Sequence, residues 1–388
     1  MWYLYIILIF ICLVLFCKLY IKICYPFWCN QPVYHIYDLF GRFKLNTIIS
    51  NDLPNINKYV NIIDIKTYKY NELDDTQLNE ICDFIRNNYS RKSQIVEYIP
   101  KNHNILEYLK ASNHPSFINV YIEPNITKKI KNNYYSVMSA RPLNVTINNK
   151  HLFSTYYVDN LCVIEAMRKK NIANKSIQTF HYNGSRIYSK IKTVLFKREN
   201  KLTAIVPLTI FNIKAFDISQ ISFIKFPHEM YKVIEISSEN INIFVEFVNS
   251  KKSDLLCTIL PDLSNLLSNI KVNNISLYGI LLNKQLVCIY VFRDSATYYN
   301  KINSIELLAS LENCDTNIFV AGFTQALSLV CKKMEAGKVI MDESSANIII
   351  CNYLSKIKKT PFLITNGAYY FYNYRTSTIP PSKCFILA

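Results

Sequence analysis

The sequence predicts an α+β protein of two lobes, preceded by one apolar helix at its N-terminus. Three observations carry that expectation. In each half of the chain strand patterns run into a helical pattern with antiparallel strand signals between, an order that favours α+β lobes over a doubly wound sheet. Of the 388 residues 50% are hydrophobic and 19% charged, enough apolar material for a large core and too little charge for disorder. From Trp2 to Cys17 every residue is apolar or aromatic.

Lys18 and Lys22 follow that run, and their stems can snorkel, so hydrophobicity counts through Ile23, close to the roughly 20 residues a spanning helix needs. No basic residue precedes the run and no small-residue cleavage site follows it, which favours a retained anchor over a cleaved signal peptide. A buried helix of a soluble domain is the other reading. With its positive charge on the C-terminal side, an anchor would leave residues 24–388 in the cytosol.

In the body, residues 75–88 place Leu78, Ile81, Cys82 and Ile85 on one helical face, with Asp75 as the expected cap and a basic loop after it at Arg91-Lys92. Residues 134–140 and 143–147 read as two strands and 155–163 as a third, with a helix expected from Ala166. Residues 277–292 read as a hairpin turning near Asn283-Lys284. Then come a helix at 318–334 with Phe323, Leu327, Val330 and Met334 inward, a short strand at 338–341, a helix at 347–358 and a strand at 369–374.

The 44 Lys+Arg exceed the 28 Asp+Glu by 16, so the surface should attract anions: nucleic acid, lipid head groups or a small polyphosphate. The 12 cysteines are scattered without C-x-x-C spacing or histidine partners, so neither a metal site nor a disulfide framework is indicated. Cys17, Cys24 and Cys29 flank the apolar run and are open to S-acylation. His35, His114, His151 and His181 stand in no ligand spacing and read as structural. No nucleophile elbow or Walker loop occurs. The 29 Tyr and 22 Phe follow strand patterns without a nucleic-acid-binding motif, so no nucleic acid partner is expected.

The most informative stretch is Val158-Asp159-Asn160-Leu161-Cys162-Val163, followed by Arg168-Lys169-Lys170-Asn171-Ile172-Ala173. A strand running into a basic turn and then a helix offers backbone N–H groups and the positive end of a helix dipole to an anion such as a pyrophosphate. A solvated helix cap has the same appearance. The turn resembles the R-x-x-G-x-A loop with which acyl-CoA-dependent N-acyltransferases grip coenzyme A, with Asn171 in place of Gly, and Asn also accepts a left-handed backbone. Upstream, Tyr25-Pro26-Phe27-Trp28-Cys29-Asn30-Gln31-Pro32-Val33 resembles the Y-x-F-W-x-x-Q-P-V opening of eukaryotic N-myristoyltransferases. In that family the strand and loop read N-F-L-C-V-H and R-S-K-R-L-A-P, similar to residues 159–164 and 168–174. Tyr369-Tyr370-Phe371-Tyr372-Asn373-Tyr374 is similar to the family's Y-Y-L-Y-N-W. Weaker agreement appears at Asn88-Tyr89 and in 324–329, so the resemblance spans about residues 25–388.

The resemblance implies a monomer of two pseudo-symmetric acetyltransferase-like halves. A membrane segment (1–24) would precede an acyl-CoA-binding half (25–200) and a peptide-binding half (201–388). It implies transfer of a long-chain acyl group, myristoyl by the family's habit, from acyl-CoA to the amine of an N-terminal glycine; the apolar run would hold this activity at a membrane lipid surface, and the cysteine and histidine spacing indicates no metal. Acyl-CoA is then expected at Tyr25, Phe27, Trp28, Leu161, Cys162, Val163, Arg168, Lys169, Lys170, Asn171, Ile172 and Ala173. By the same match the amides of Asn160 and Leu161 face the thioester oxygen, the terminal carboxylate on Ala388 acts as base, and Asp159 and Thr193 hold the amine. Asp159 stands where the family has Asn: it can bind the ammonium or serve as a second base, or trap the amine in its charged form, because a nearby anion raises an amine's pKa. The family's acidic loop after N-Y is replaced by Ser90-Arg91-Lys92-Ser93, and its acidic G-D-G by 363–367, so less preference for basic peptides is expected. A catalytically silent relative used for binding is the alternative. An N-acetyltransferase with a shorter acyl group would share the loop but not residues 25–33.

Overall fold

The apolar run winds into one helix, Trp2–Cys24, continued by a hydrogen bond from Tyr25 N to Ile21 O (2.8 Å). At about 1.5 Å per residue it is roughly 35 Å long, enough to cross a bilayer. Its side chains face outward on all sides, and Ile21 is the one fully buried residue. Length and apolarity suffice for a span, a test that signal sequences and core helices also pass, although this helix is largely unburied. The computed structural model describes residues 2–89, 95–122, 133–200 and 203–388, so the basic loop at Arg91-Lys92 lies outside the described residues.

Helix Asp75–Asn88 buries Leu78, Ile81, Cys82, Phe84 and Ile85, but its cap is Asp74 rather than Asp75. The Asp74 carboxylate accepts from Gln77 N (2.8 Å) and Gln77 Oε1 accepts from Asp74 N (3.1 Å). This reciprocal box needs its acceptor three residues before Gln77, and Asp75 stands one residue too late. The two strands expected at 134–147 are a single strand, Tyr134–Ile147, which runs through Pro142. On one edge Phe117–Ile122 pairs with it as far as Ala140, and Cys257–Leu260 takes over from Asn144. The proline falls between the two partners, where the ladder is already interrupted. The hairpin Ile275–Leu282 and Gln285–Tyr299 turns through Asn283 (φ 49°) and Lys284 (φ 69°), the two left-handed residues that a tight hairpin loop requires.

One motif occurs twice. Strand His151–Val163 leads through helix Ile172–Ile187 to Val194–Glu199, which pairs parallel to it at Tyr156↔Val194 and Tyr157↔Leu195. Strand Ile302–Glu312 leads through helix Thr316–Met334 to Lys338–Asp342, again parallel, at Ser304–Leu307 against Lys338–Met341. Each leading strand also pairs antiparallel with its predecessor, Tyr134–Ile147 or Gln285–Tyr299. The repeated order of strand, helix and parallel strand gives the α+β fold two similar units. Val194–Glu199, Leu363–Tyr372, Thr209–Asp217 and Lys338–Asp342 lie side by side and fuse both halves into one mixed sheet.

The halves also exchange strands. Val96–Tyr98 pairs with residues 297–299 of the second half, while Cys257–Leu260 and its parallel neighbour Cys384–Ile386 extend the sheet of the first. The chain end is thereby carried into the middle of the molecule. Around helix Thr316–Met334 the core is dense, with Phe216, Tyr290, Phe292, Phe319 and Phe323 fully buried. A Cβ at Gly322 would collide with Ile280 and the Tyr290 hydroxyl, so glycine here sets the helix-to-sheet distance. The twelve cysteines are free, seven of them buried in the core.

Candidate functional site

Beyond Tyr157, strand His151–Val163 parts from its parallel neighbour. In the parting segment Ser139 faces Asp159 while Val137 faces Cys162, so the strand carries one extra residue, and Asn160 takes φ 54°. This is a β-bulge with a left-handed residue, a conformation that Asn tolerates. Asn160 Nδ2 donates to Ser139 Oγ (2.9 Å), and that hydroxyl donates to Asp159 O (3.2 Å). The Asn160 amide is turned out of the regular ladder and donates to Asp159 Oδ1 (2.7 Å). The Tyr89 hydroxyl lies 3.5 Å from the same oxygen. The Asp159 charge, with burial, pushes the Tyr89 phenol well above its ordinary pKa.

A short 3₁₀ turn, Glu165–Met167, occupies the place where a helix was expected, and the helix begins at Ile172. The delay has a backbone cause: Lys169 (φ 65°) and Asn171 (φ 60°) are both left-handed, and a right-handed helix cannot pass through them. Lys175 N donates to Asn171 O (3.0 Å), and the amides of Ile172, Ala173 and Asn174 have no partner within the helix. Lys169 and Lys170 are exposed beside them. Arg168 is otherwise engaged: its Nε donates to Val163 O (3.1 Å) and its Nη2 to Asn88 O (2.9 Å), tying the loop to the end of helix Asp75–Asn88. Leu161 and Val163 lie against small apolar clusters, and burial pushes the Cys162 thiol up to about 12.

Motifs from opposite ends of the chain meet here. Phe27 packs edge-on against Trp28 and Tyr59 at 4.9 and 5.1 Å between ring centres. Trp28 stacks on Phe196 at 5.5 Å and Phe196 on Tyr370 at 5.3 Å. The Tyr372 hydroxyl donates to Gln31 Oε1 (2.8 Å) and lies 3.0 Å from His181 Nδ1, while Asn373 N donates to Pro32 O (2.7 Å). Burial draws His181 down to about 4, so its imidazole is neutral at pH 7.

Ala388 is 2% exposed. Its main-chain O accepts from Arg293 Nη1 (3.0 Å), whose Nε donates to Glu306 Oε2 (3.0 Å). Glu306 in turn accepts from Lys197 Nζ (3.5 Å), which donates also to Asp342 Oδ2 (2.8 Å). Burial opposes every charge in this chain. Arg293 and Lys197 outweigh it at Glu306 and draw that carboxyl down to about 2, while burial pushes Asp342 up to about 6 against the pull of Lys197. The Lys197 ammonium is held well above its usual value by the two carboxylates despite its burial. Tyr98 feels both the Asp159 and the Arg293 charges, so the bulge and the chain end share one electrostatic neighbourhood. The Thr193 hydroxyl donates to Ser154 O (3.3 Å), and its carbonyl accepts from Tyr156 N (3.0 Å).

A groove of about 730 Å³ runs along the foot of the N-terminal helix, between Tyr20, Ile21 and Tyr25 on one wall and Ile205, Val206 and Ile210 on the other. Of the expected acyl-CoA residues, Tyr25 alone lines it. Among the described residues no cluster of three His, Cys, Asp or Glu is arranged to hold a metal.

With this geometry in hand, solved structures place the fold. The chain is similar to Saccharomyces cerevisiae N-myristoyltransferase with bound myristoyl-CoA, at a TM-score of 0.69 and 14% sequence identity over 92% of this chain and 94% of that one. A second structure of the yeast enzyme with myristoyl-CoA gives the same score over 95% of each chain. A third, with myristoyl-CoA and inhibitors, gives 0.67 at 13% identity. No protein-family model matches the sequence, and no curated protein matches it. The architecture is thus that of an N-myristoyltransferase.

Four residues of this site were not singled out by sequence: Tyr89 for contact with Asp159, Tyr98, Arg293 beside Ala388, and Arg141. For Arg141 a signal existed, a lone arginine within the otherwise uncharged strand Tyr134–Ile147. For the others the partners are more than 60 residues away in sequence.

Proposed function

We propose that this protein is a membrane-anchored glycylpeptide N-acyltransferase that moves a long-chain acyl group, myristoyl in the first instance, from acyl-CoA to an N-terminal glycine amine. The observation that carries this reading is the bulge at Asn160, which turns that residue's main-chain N–H out of the ladder where the strand has lost its parallel neighbour. Once exchanged from Asp159, a donor fixed there can meet the charge that develops on a thioester oxygen. The left-handed turn at Asn171, the first-turn amides of Ile172 and Ala173, and the ammonium groups of Lys169 and Lys170 suit a pyrophosphate. Arg168 supports the turn instead of joining them.

An α-amine with a pKa of about 8 must lose its proton before it attacks. The carboxylate of Ala388 is suited to take it, being buried and oriented by Arg293. Asp159 attracts the ammonium to the same place. The halves then divide as acyl-CoA (25–200) and peptide (201–388), with the strand exchange making them one unit. The Trp2–Cys24 helix would hold this unit against the cytosolic face of a bilayer. One acyl chain gives only marginal membrane affinity, so release beside lipid would serve the product.

A second reading has its own observation. The Asn160 amide is already bound to Asp159 Oδ1, and an occupied donor favours a silent relative that binds acyl-CoA without transferring it. One experiment separates the two. The full-length protein in detergent is incubated with acyl-CoAs of graded length and a glycine-starting peptide, and free thiol is followed. Thiol release dependent on peptide supports the enzyme; tight acyl-CoA binding without release supports the silent relative.

A further inference from the structure

Among the described residues Arg141 makes no ion pair. It faces Tyr157 across the strand pair, and two residues away Ser139 faces Asp159. Alternation therefore puts Arg141, Ser139, Tyr157 and Asp159 on one face of the sheet, with Arg141 on the diagonal about 7–8 Å from Asp159 at the backbone. The residue is 5% exposed. Its guanidinium carbon lies 4.5 Å from the centre of the Tyr108 ring and 5.3 Å from that of Tyr157. Among the described residues no ion pair or hydrogen bond falls on it, although it feels the Asp159 charge, and the other nearby carboxylates are paired elsewhere. Glu306 is held by Arg293 and Lys197, Asp342 by Lys197, and Asp159 accepts from the Asn160 amide. The Tyr108 hydroxyl, on the ring that covers Arg141, is itself buried without a hydrogen-bond partner among the described residues.

A buried guanidinium in contact with aromatic rings and hydrogen-bonded to no anion is costly, and an orphan hydroxyl beside it adds to the cost. Two unsatisfied donors next to each other require an acceptor-rich anion. We propose that Arg141 and Tyr108 receive a carboxylate carried by the amine acceptor, either an acidic side chain next to the N-terminal glycine of a peptide or the α-carboxylate of a free amino acid. This rests on the acyl-transfer reading and names the acceptor class for it. Asp159 draws the ammonium and Arg141, on the same face, draws the carboxylate, so the acceptor is aligned by both ends. An acceptor whose second residue is lysine sets a cation against Arg141 and is rejected.

The test is equilibrium binding by calorimetry on the full-length protein in detergent, with peptides starting Gly-Asp, Gly-Ala and Gly-Lys and with free glycine. Acyl-CoA affinity is measured alongside as the control for folding. The wild type should bind Gly-Asp at least about tenfold more tightly than Gly-Lys, the scale of one charge-assisted hydrogen bond. R141Q should reduce that ratio to about twofold or less, and Y108F should reduce it in part. If R141Q loses acyl-CoA binding and is misfolded, R141K is used; it keeps the charge without the planar fork and should retain a smaller preference. Free glycine binding as tightly as Gly-Asp assigns the carboxylate to an amino acid, and weaker binding assigns it to a peptide side chain. Equal affinities in the wild type, or a preference that survives R141Q, overturn the proposal. So does an R141Q defect that is equal for all acceptors, which would place Arg141 on Ala388 instead. Acidic preference without thiol release would refute acyl transfer and leave the carboxylate site standing.

Discussion

Replacing Asp159 with Asn probes the chemistry most directly. In the native chain the Asn160 amide donates to a carboxylate oxygen at 2.7 Å, so a developing oxyanion must compete for that donor. A hydrogen bond to a charged group contributes about 1.5–3 kcal/mol and a neutral one about 1 kcal/mol. The amide should therefore be released more readily in D159N by about 1–2 kcal/mol, or roughly 5–30-fold in kcat. The ceiling is the roughly 10²–10³-fold that one oxyanion donor supplies. Removing the anion also lowers the pKa of the bound acceptor amine, so the acid limb of kcat should move to lower pH while KM for the acceptor rises. The assay is thiol release at saturating acyl-CoA with a glycine-starting peptide between pH 6 and about 9. A fall in kcat with an unmoved acid limb would refute this reasoning and make Asp159 a contributor to turnover.

Asn171 has φ 60°, so N171G should leave acyl-CoA affinity near that of the wild type, while N171V should cost about 1–2 kcal/mol in stability and weaken acyl-CoA binding, read by thermal shift and titration. His181 is drawn down to about 4 by burial, below the usual value of about 6.5, so the unfolded chain binds the extra proton in that window and stability is lost as pH falls through it. Between pH 7 and 5 the wild type should lose on the order of 1–2 kcal/mol more than H181N, measured from urea midpoints. The opposite contribution of Asp342, which titrates near 6, is present in both chains and cancels in the comparison. G322A should destabilise the protein by about 1–3 kcal/mol in the same assay, because its methyl group meets Ile280 and Tyr290 across the helix–sheet contact.

Local signals were read well. The helix at 75–88, the hairpin turn at Asn283-Lys284, the helix at 318–334 and the short strand at 338 were legible because each is decided by periodicity or by turn residues within its own span. The start of the helix after Arg168 was placed six residues early, since composition alone does not show that Lys169 and Asn171 turn left-handed. Strands such as Thr209–Asp217 and Cys257–Leu260 were missed, being short or central and defined by neighbours distant in sequence. Of the candidate site, the bulge segment and the turn are marked in the sequence, while the bonds that Arg168 makes to Val163 and Asn88 and that Thr193 makes to Ser154 depend on packing.

By itself the sequence determined an apolar first helix, an α+β body and three motifs, because hydrophobic period, turn chemistry and residue order are local properties. Only the tertiary structure decided that the first and last motifs pack together through Gln31 and Tyr372, that Ala388 is buried, and that Arg141 is buried against Tyr108 and Tyr157 with no ion pair among the described residues. Each of those facts depends on which strands become neighbours. That choice is made by the burial of the whole sheet, and no short window of sequence contains it.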